Sequence, residues 1–262
     1  MYRTRAALAL AALLAAALLP VPAAVAGPVD DAAGTPAQES SLVADPSLVV
    51  LVNALHPLEP LDYEPARLAD AGSGHRMVPE AAASLRRLLA AAAGAGHALR
   101  IESAYRSYAQ QEALYAGYTR RYGAAYAAQI SARPGTSEHQ TGLAADIGLA
   151  SGECSLLACF GDTAAGQWVA AHAAEYGFVV RYPEGLEQVT GFRYEPWHLR
   201  FLGAGPAQEM AALGDETLEA YTERLERRAA AAARPRHVLR PAPEHPPWYP
   251  ATFPRWALGL PA

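Results

Sequence analysis

The residues of this chain best suited to chemistry fall in Thr136-Ser137-Glu138-His139-Gln140-Thr141-Gly142-Leu143-Ala144-Ala145-Asp146. His139 and Asp146 stand seven residues apart with a glycine between them. A turn followed by a short strand can therefore bring one imidazole nitrogen and one carboxylate oxygen to a single divalent cation, and this donor mixture suits zinc. Two ligands do not hold a catalytic ion. The third is expected in Glu195-Pro196-Trp197-His198, which completes a His139/Asp146/His198 set with an open fourth position for water. Neither segment offers a fourth protein ligand, which argues against a closed site that merely stabilises the fold.

Histidine alone is weak support, because the chain has eight. His56, His75, His97, His237 and His245 stand in polar or proline-rich surroundings. His172 shares a helical face with Trp168, Val169 and Tyr176 and reads as a partly buried, satisfied histidine. His139 differs, because it leads into a short apolar strand that carries Asp146; an aspartate inside such a strand is disfavoured unless something binds it. Glu195 and His198 pose a separate problem. Residues three apart on a strand point to opposite faces, so both serve one site only if the backbone turns locally, and Pro196 supplies a reason for that distortion. Trp197 beside them reads as packing support.

The positioning elements follow from pattern. Pro79 suits a first helical residue, and Leu85, Leu88, Leu89 and Ala92 recur at helical spacing before Gly94 and Gly96, which predicts a core-facing helix. A strand is expected over 98–103. Ser107 and Gln110 then form a capping box for a helix running to Tyr122, where Gly123 stops it. Arg106 lies at that strand-to-helix junction, which aims its planar fork at a fixed place, as a carboxylate or a developing oxyanion requires. A second short helix precedes the loop 131–135. Further strands are expected over 178–182 and 191–202, and one helical stretch over 205–228.

Composition bounds the rest. The chain has 262 residues, 52% hydrophobic and 18% charged, enough for one sizeable domain with extensions. A net charge of −5 gives no electrostatic reason to expect nucleic acid as a partner. Residues 1–26 read as a signal peptide: Arg3 and Arg5, an apolar run from Ala6 to Leu19, then the small-x-small site Ala24-Val25-Ala26. That run is too short for a bilayer span, so export is expected, with no membrane span once the signal is removed. Residues 27–46 read as a linker, 47–228 as the catalytic domain and 229–262 as an alanine- and proline-rich extension carrying Trp248, Tyr249, Phe253 and Trp256. In an exported protein Cys154 and Cys159 are expected to close a small disulfide loop; their spacing has no second Cys/His pair to make a zinc site.

Ser137-x-His139-x-x-Gly142-x-Ala144-x-Asp146, Glu195-x-x-His198 and Tyr105-Arg106-Ser107 closely resemble the D-alanyl-D-alanine carboxypeptidases of the VanY type, within the LAS-type zinc peptidases. The likeness extends through Leu51-Val52-Asn53, His56-Pro57-Leu58, Tyr182-Pro183-Glu184-Gly185 and Gly191-Phe192-Arg193-Tyr194, and it covers roughly residues 48 to 225. The resemblance implies an α+β fold with helices packed on a small, mainly antiparallel sheet. It implies zinc on His139, Asp146 and His198, Glu195 as general base, Arg106 as a substrate or oxyanion contact, and Ser137 as a substrate contact. The implied substrate is a peptidoglycan stem peptide ending in D-Ala-D-Ala, met outside the membrane at the cell wall. The two-cysteine loop and the aromatic tail lie outside the family pattern. An L,D-carboxypeptidase or endopeptidase of the same fold would keep the same metal ligands. A catalytically silent wall-binding module is the reading from another class, and the intact Glu195 argues against it.

Overall fold

The computed structural model describes residues 46 to 233. The expected signal peptide, all of the linker but its last residue, and the aromatic part of the tail lie outside them. After a 3-10 turn at Pro46–Val49 come β1 (Ala69–Gly72), β2 (His75–Met77), α1 (Pro79–Gly94), β3 (Leu99–Ser103), α2 (Tyr108–Tyr122) and α3 (Ala124–Ile130). Next are β4 (Ala144–Leu149), α4 (Ala164–His172), β5 (Phe178–Tyr182), α5 (Glu187–Thr190), β6 (Glu195–Phe201), α6 (Ala204–Leu213) and α7 (Leu218–Ala233). β1 and β2 pair as an antiparallel hairpin, and the other four strands form one antiparallel sheet in the order β3-β4-β6-β5. The architecture is the α+β arrangement expected from the sequence.

The two faces of this sheet do different work. On one face Ile101, Ala145, Ile147, Phe178, Leu199 and Phe201 join Leu85 and Leu88 of α1 in a single apolar core. Alternation along β4 and β6 then sends Asp146, His198 and Arg200 to the other face, so the strands that carry the chemistry are anchored by the residues between them. Burying each such aliphatic side chain contributes roughly 1.5–3 kcal/mol. Trp197 packs against this core from β6, as its packing role requires. A second cluster of Val49, Leu202, Met210, Leu218 and Tyr221 ties α6 and α7 to the first turn.

Local signals act largely as read. Pro79 opens α1, and the Ser107/Gln110 capping box is formed in full, with α2 ending at Gly123, φ 84°. The β3 strand begins at Leu99, one residue later than expected. Other segments differ from the pattern. The β1–β2 hairpin and α5 have too few residues for periodicity to reveal them, and the strand expected from residue 191 starts only at Glu195. The single helical stretch over 205–228 is two helices, because Gly214 adopts a left-handed φ of 70° and stops α6 before α7 begins. The last helix then runs to Ala233, beyond the expected domain end.

Cys154 and Cys159 are bonded, closing a loop between β4 and α4. Inside the ring Cys154 and Leu156 hold φ values of 53° and 52°, a conformation that costs a side-chain-bearing residue on the order of 1–2 kcal/mol. The cross-link restricts the open loop that those residues would otherwise prefer. For a ring this small the loss of unfolded-state entropy is worth about 2 kcal/mol. Replacing both cysteines by serine should lower stability by about that amount and the thermal midpoint by roughly 4–8 °C; an unchanged midpoint in calorimetry would show that the bridge does not hold this loop.

Candidate active site

The polar sheet face opens into a cleft of about 650 Å³ lined by His139, Asp146, His198, Glu195, Arg106 and Ser137 among others. His139 sits on a 3-10 turn, Glu138–Thr141, that ends at Gly142 with φ 71°. Glycine is required there. Beyond the positive φ, an added Cβ would lie 3.1–3.3 Å from Leu68, Val78 and Pro65. The turn feeds β4, where Asp146 pairs in register with His198 of β6. The donor atoms of His139, Asp146 and His198 all lie within 4.8 Å of one another.

Each imidazole is oriented from behind. His139 Nδ1 lies 2.7 Å from the Ala104 carbonyl oxygen, to which it donates, so Nε2 faces Asp146 Oδ2 at 3.2 Å. His198 points the opposite way, with Nε2 3.3 Å from Glu138 Oε2 and Nδ1 3.1 Å from Asp146 Oδ1. Among the described residues Asp146 Oδ1 is a buried oxygen with no hydrogen-bond partner, despite that approach. A nitrogen and an oxygen that face a common space without hydrogen-bond alignment fit a shared cation, and two imidazoles with one carboxylate are the donor set zinc takes.

The distortion anticipated near Pro196 is present. Val180 pairs with Leu199, but Tyr182 pairs with Glu195, so β6 carries two extra residues against β5. This irregularity turns Glu195 toward the site, where its Oε2 lies 3.8 Å from His198 Nδ1. Burial pushes the Glu195 carboxyl up to about 7, against the pull of His198 and with a further push from Asp146. Arg106 is held by Gln111 Oε1 at 3.0 Å and Ser103 Oγ at 2.5 Å, and lies 3.7 Å from Asp146 Oδ2. Gln111 is itself fixed by Ser131 Oγ and the Ala132 carbonyl, at 3.1 and 2.7 Å. Ser137 is buried at the cleft wall, two residues before His139. His172 stands apart, paired with Glu175 Oε1 at 2.7 Å beside Trp168.

Sequence reasoning missed the support behind His198. Glu138 is fully buried and accepts from Arg181 Nε at 2.7 Å and Arg200 Nη1 at 2.8 Å. Arg181 in turn makes a two-pronged pair with Glu219 of α7, at 2.7 and 2.9 Å, and Asn53 Nδ2 donates to the same carboxylate at 3.2 Å. Burial opposes ionisation of Glu138, yet Arg181 and Arg200 outweigh it and hold the carboxyl well below its usual range. The available signal was an arginine inside each of two otherwise apolar strands, Phe178-Val179-Val180-Arg181 and Leu199-Arg200-Phe201, because buried arginine is rarely left unpaired.

A His/Asp/His cluster beside a carboxylate on an antiparallel sheet is an arrangement able to activate water for hydrolysis. The family model of VanY, D-alanyl-D-alanine carboxypeptidase, matches residues 74–204. VanXYC of Enterococcus gallinarum, a bifunctional D-Ala-D-Ala dipeptidase and D-Ala-D-Ala carboxypeptidase, is 37% identical over 179 residues, covering 67% of this chain and 93% of its own. Among solved structures, the LdcB LD-carboxypeptidase matches with TM-score 0.63 and 38% identity over 68% of this chain and 87% of its own. A mutant of the vancomycin-resistance D,D-pentapeptidase VanY, in complex with Zn(II), matches with TM-score 0.59 and 28% identity over 67% and 99%. The chain belongs to the VanY family of carboxypeptidases.

Two outcomes follow from the site. Glu138→Gln removes the charge that compensates two buried arginines, and should cost roughly 3–5 kcal/mol of stability while weakening zinc binding about 10- to 100-fold; denaturant melts and chelator competition measure both. The second concerns protons. Burial opposes protonation of His198, but the carboxylates of Asp146 and Glu138 prevail and raise it to about 9, whereas burial and Arg106 lower His139 to about 4. A raised histidine adds stability that is fully present below its unfolded value near 6.5 and is lost as pH rises through about 9. A cation must displace that proton, so zinc affinity should climb about tenfold per pH unit from neutrality toward the His198 value, with about one proton released per ion. Calorimetry in buffers of different ionisation enthalpy reads the count, and a count of zero would remove His198 from the ligand set.

Proposed function

We propose that this chain is an exported, zinc-dependent D-alanyl-D-alanine carboxypeptidase that removes the terminal D-Ala of peptidoglycan stem peptides. The observation that carries the reading is the convergence of His139, Asp146 and His198 beside Glu195, in a member of the VanY family. His139 Nε2, Asp146 and His198 Nδ1 would hold the ion. Zinc bound there supplies polarisation, lowering the pKa of water from 15.7 toward about 7 and drawing charge from the peptide carbonyl.

The chain's own groups complete the chemistry. Glu195, its carboxylate favoured by a neighbouring cation, accepts the proton of the attacking water and returns it to the leaving amine nitrogen. Arg106 is fixed over the centre by Ser103 and Gln111, so its fork meets the terminal carboxylate or the developing oxyanion without reorganising. Ser137 supplies a further substrate contact from the cleft wall. The signal-like residues 1–26 support export to the compartment where stem peptides are found. Among the described residues no helix is long and apolar enough to cross a membrane.

An L,D-carboxypeptidase is the second reading, favoured by the higher identity to LdcB, 38%, than to the zinc-bound VanY, 28%. Both readings use the same ligands and base and differ in the chirality accepted next to the scissile bond. The test is release of free D-alanine from matched peptides ending in D-Ala-D-Ala or L-residue-D-Ala, with and without chelator. Pentapeptide-type cleavage should dominate and vanish with the metal. Glu195→Gln should keep its zinc and lose roughly 10² to 10⁴ in turnover; near-parental turnover with zinc bound would sink the assignment of Glu195.

A further inference from the structure

One arginine of the cleft has no ion-pair partner among the described residues. Arg193 lies in the loop between α5 and β6, two residues before Glu195, and lines the same cleft as the metal-ligand candidates. Its Nη2 donates to Gln129 Oε1 at 2.8 Å, and its guanidinium carbon lies 5.5 Å from the centre of the Tyr126 ring. Both partners belong to α3 and both are neutral. Tyr126 is braced in turn by Tyr122 at 5.5 Å, which stacks on Tyr118 at 6.2 Å, so a row of rings on α2 and α3 stands behind the guanidinium. Among the described residues Arg193 makes no ion pair, whereas the other arginine of the cleft, Arg106, faces Asp146.

This arrangement orients an arginine without spending its charge. The ring takes the flat face of the guanidinium and Gln129 takes one of its five donors. The unused N–H edges form the planar fork that matches a carboxylate in a two-pronged contact. Position decides which carboxylate. In a carboxypeptidase the leaving residue is one amino acid long, so its terminal carboxylate stays close to the reacting carbonyl, within the reach of Arg106. Arg193 is exposed and lines the same cleft, which leaves it to meet the retained part of the peptide.

We propose that Arg193, backed by Tyr126 and Gln129, anchors a carboxylate carried by the retained part of the substrate, on the amino-terminal side of the scissile bond. The inference rests on the peptidase reading above and adds a substrate class to it: peptides with an acidic side chain just before the cleaved pair. Any such acidic peptide shares this chemistry, whichever wall polymer supplies it.

The test compares zinc-loaded parent, Arg193→Gln and Arg193→Lys on two probes, N-acetyl-Glu-D-Ala-D-Ala and N-acetyl-Gln-D-Ala-D-Ala, which differ only in one charge. The parent should prefer the acidic probe by about tenfold in kcat/KM, chiefly through KM. In Arg193→Gln that ratio should fall to near one, with Arg193→Lys between the two, and zinc content and thermal midpoint held. A parent without preference, or an equal loss on both probes in Arg193→Gln, overturns the proposal; the equal loss would assign Arg193 to a part common to both peptides, such as the terminal carboxylate. If the parent cleaves neither probe, the D,D-carboxypeptidase reading falls, and calorimetric affinities for N-acetyl-Glu-D-Ala and N-acetyl-Gln-D-Ala, measured in the Glu195→Gln background so that neither ligand is hydrolysed, decide the anchor alone. A preference for the acidic ligand that disappears in Arg193→Gln upholds it, and equal affinities sink it.

Discussion

The constraint on which this structure most depends is the compensation of charge behind His198. Glu138, Arg181 and Arg200 are buried together, with Glu138 bridging both guanidinium groups. Taking such ions out of water costs several kcal/mol each, and their mutual attraction does little more than offset that cost. Net stability must therefore come from elsewhere, chiefly the apolar face of the sheet against α1. The ionic cluster instead fixes geometry. One oxygen of Glu138 is held by two arginines, so the other has a single place to stand, facing His198 Nε2. The imidazole is thereby turned with Nδ1 toward Asp146, an arrangement in which a buried second carboxylate sets which nitrogen can bind a cation.

That cluster also joins distant parts of the chain. Glu138 comes from the turn before β4, Arg181 from β5, Arg200 from β6, and the chain continues through Glu219 on α7 to Asn53 near the start of the domain. Removing Glu138, Arg181 or Arg200 leaves the buried charges of the cluster out of balance. The C-terminal helix is thus tied to the site by ionic and polar contacts, and to the fold by the small core around Leu202, Met210 and Leu218.

Two local departures from regular structure let the sheet present its candidate ligands on one side. Gly142 takes a left-handed turn in a space too tight for a side chain, which carries the chain from His139 into β4. The irregular pairing of β6 with β5 rotates Glu195 relative to His198, whereas β6 stays in register with β4, so the Asp146–His198 pair is undisturbed. Regularity is kept where Asp146 and His198 meet and given up where Glu195 must be brought round.

The sequence by itself determined the parts that depend on neighbours in the chain. The capping box at Ser107, the proline opening α1, the glycine after His139 and the spacing of His139 to Asp146 were all legible, because turns, caps and strand alternation are settled within a few residues. The separation of α6 from α7, and the short β1–β2 hairpin and α5, were not, since a single left-handed glycine or a three-residue strand leaves no periodic trace. Tertiary structure alone decided the rest. Glu138 meets Arg181 and Arg200 across 43 and 62 residues, and Arg193 meets Gln129 across 64. No local rule selects such partners. They are chosen by which strands lie side by side and by the demand that each charge sealed from water find an opposite one.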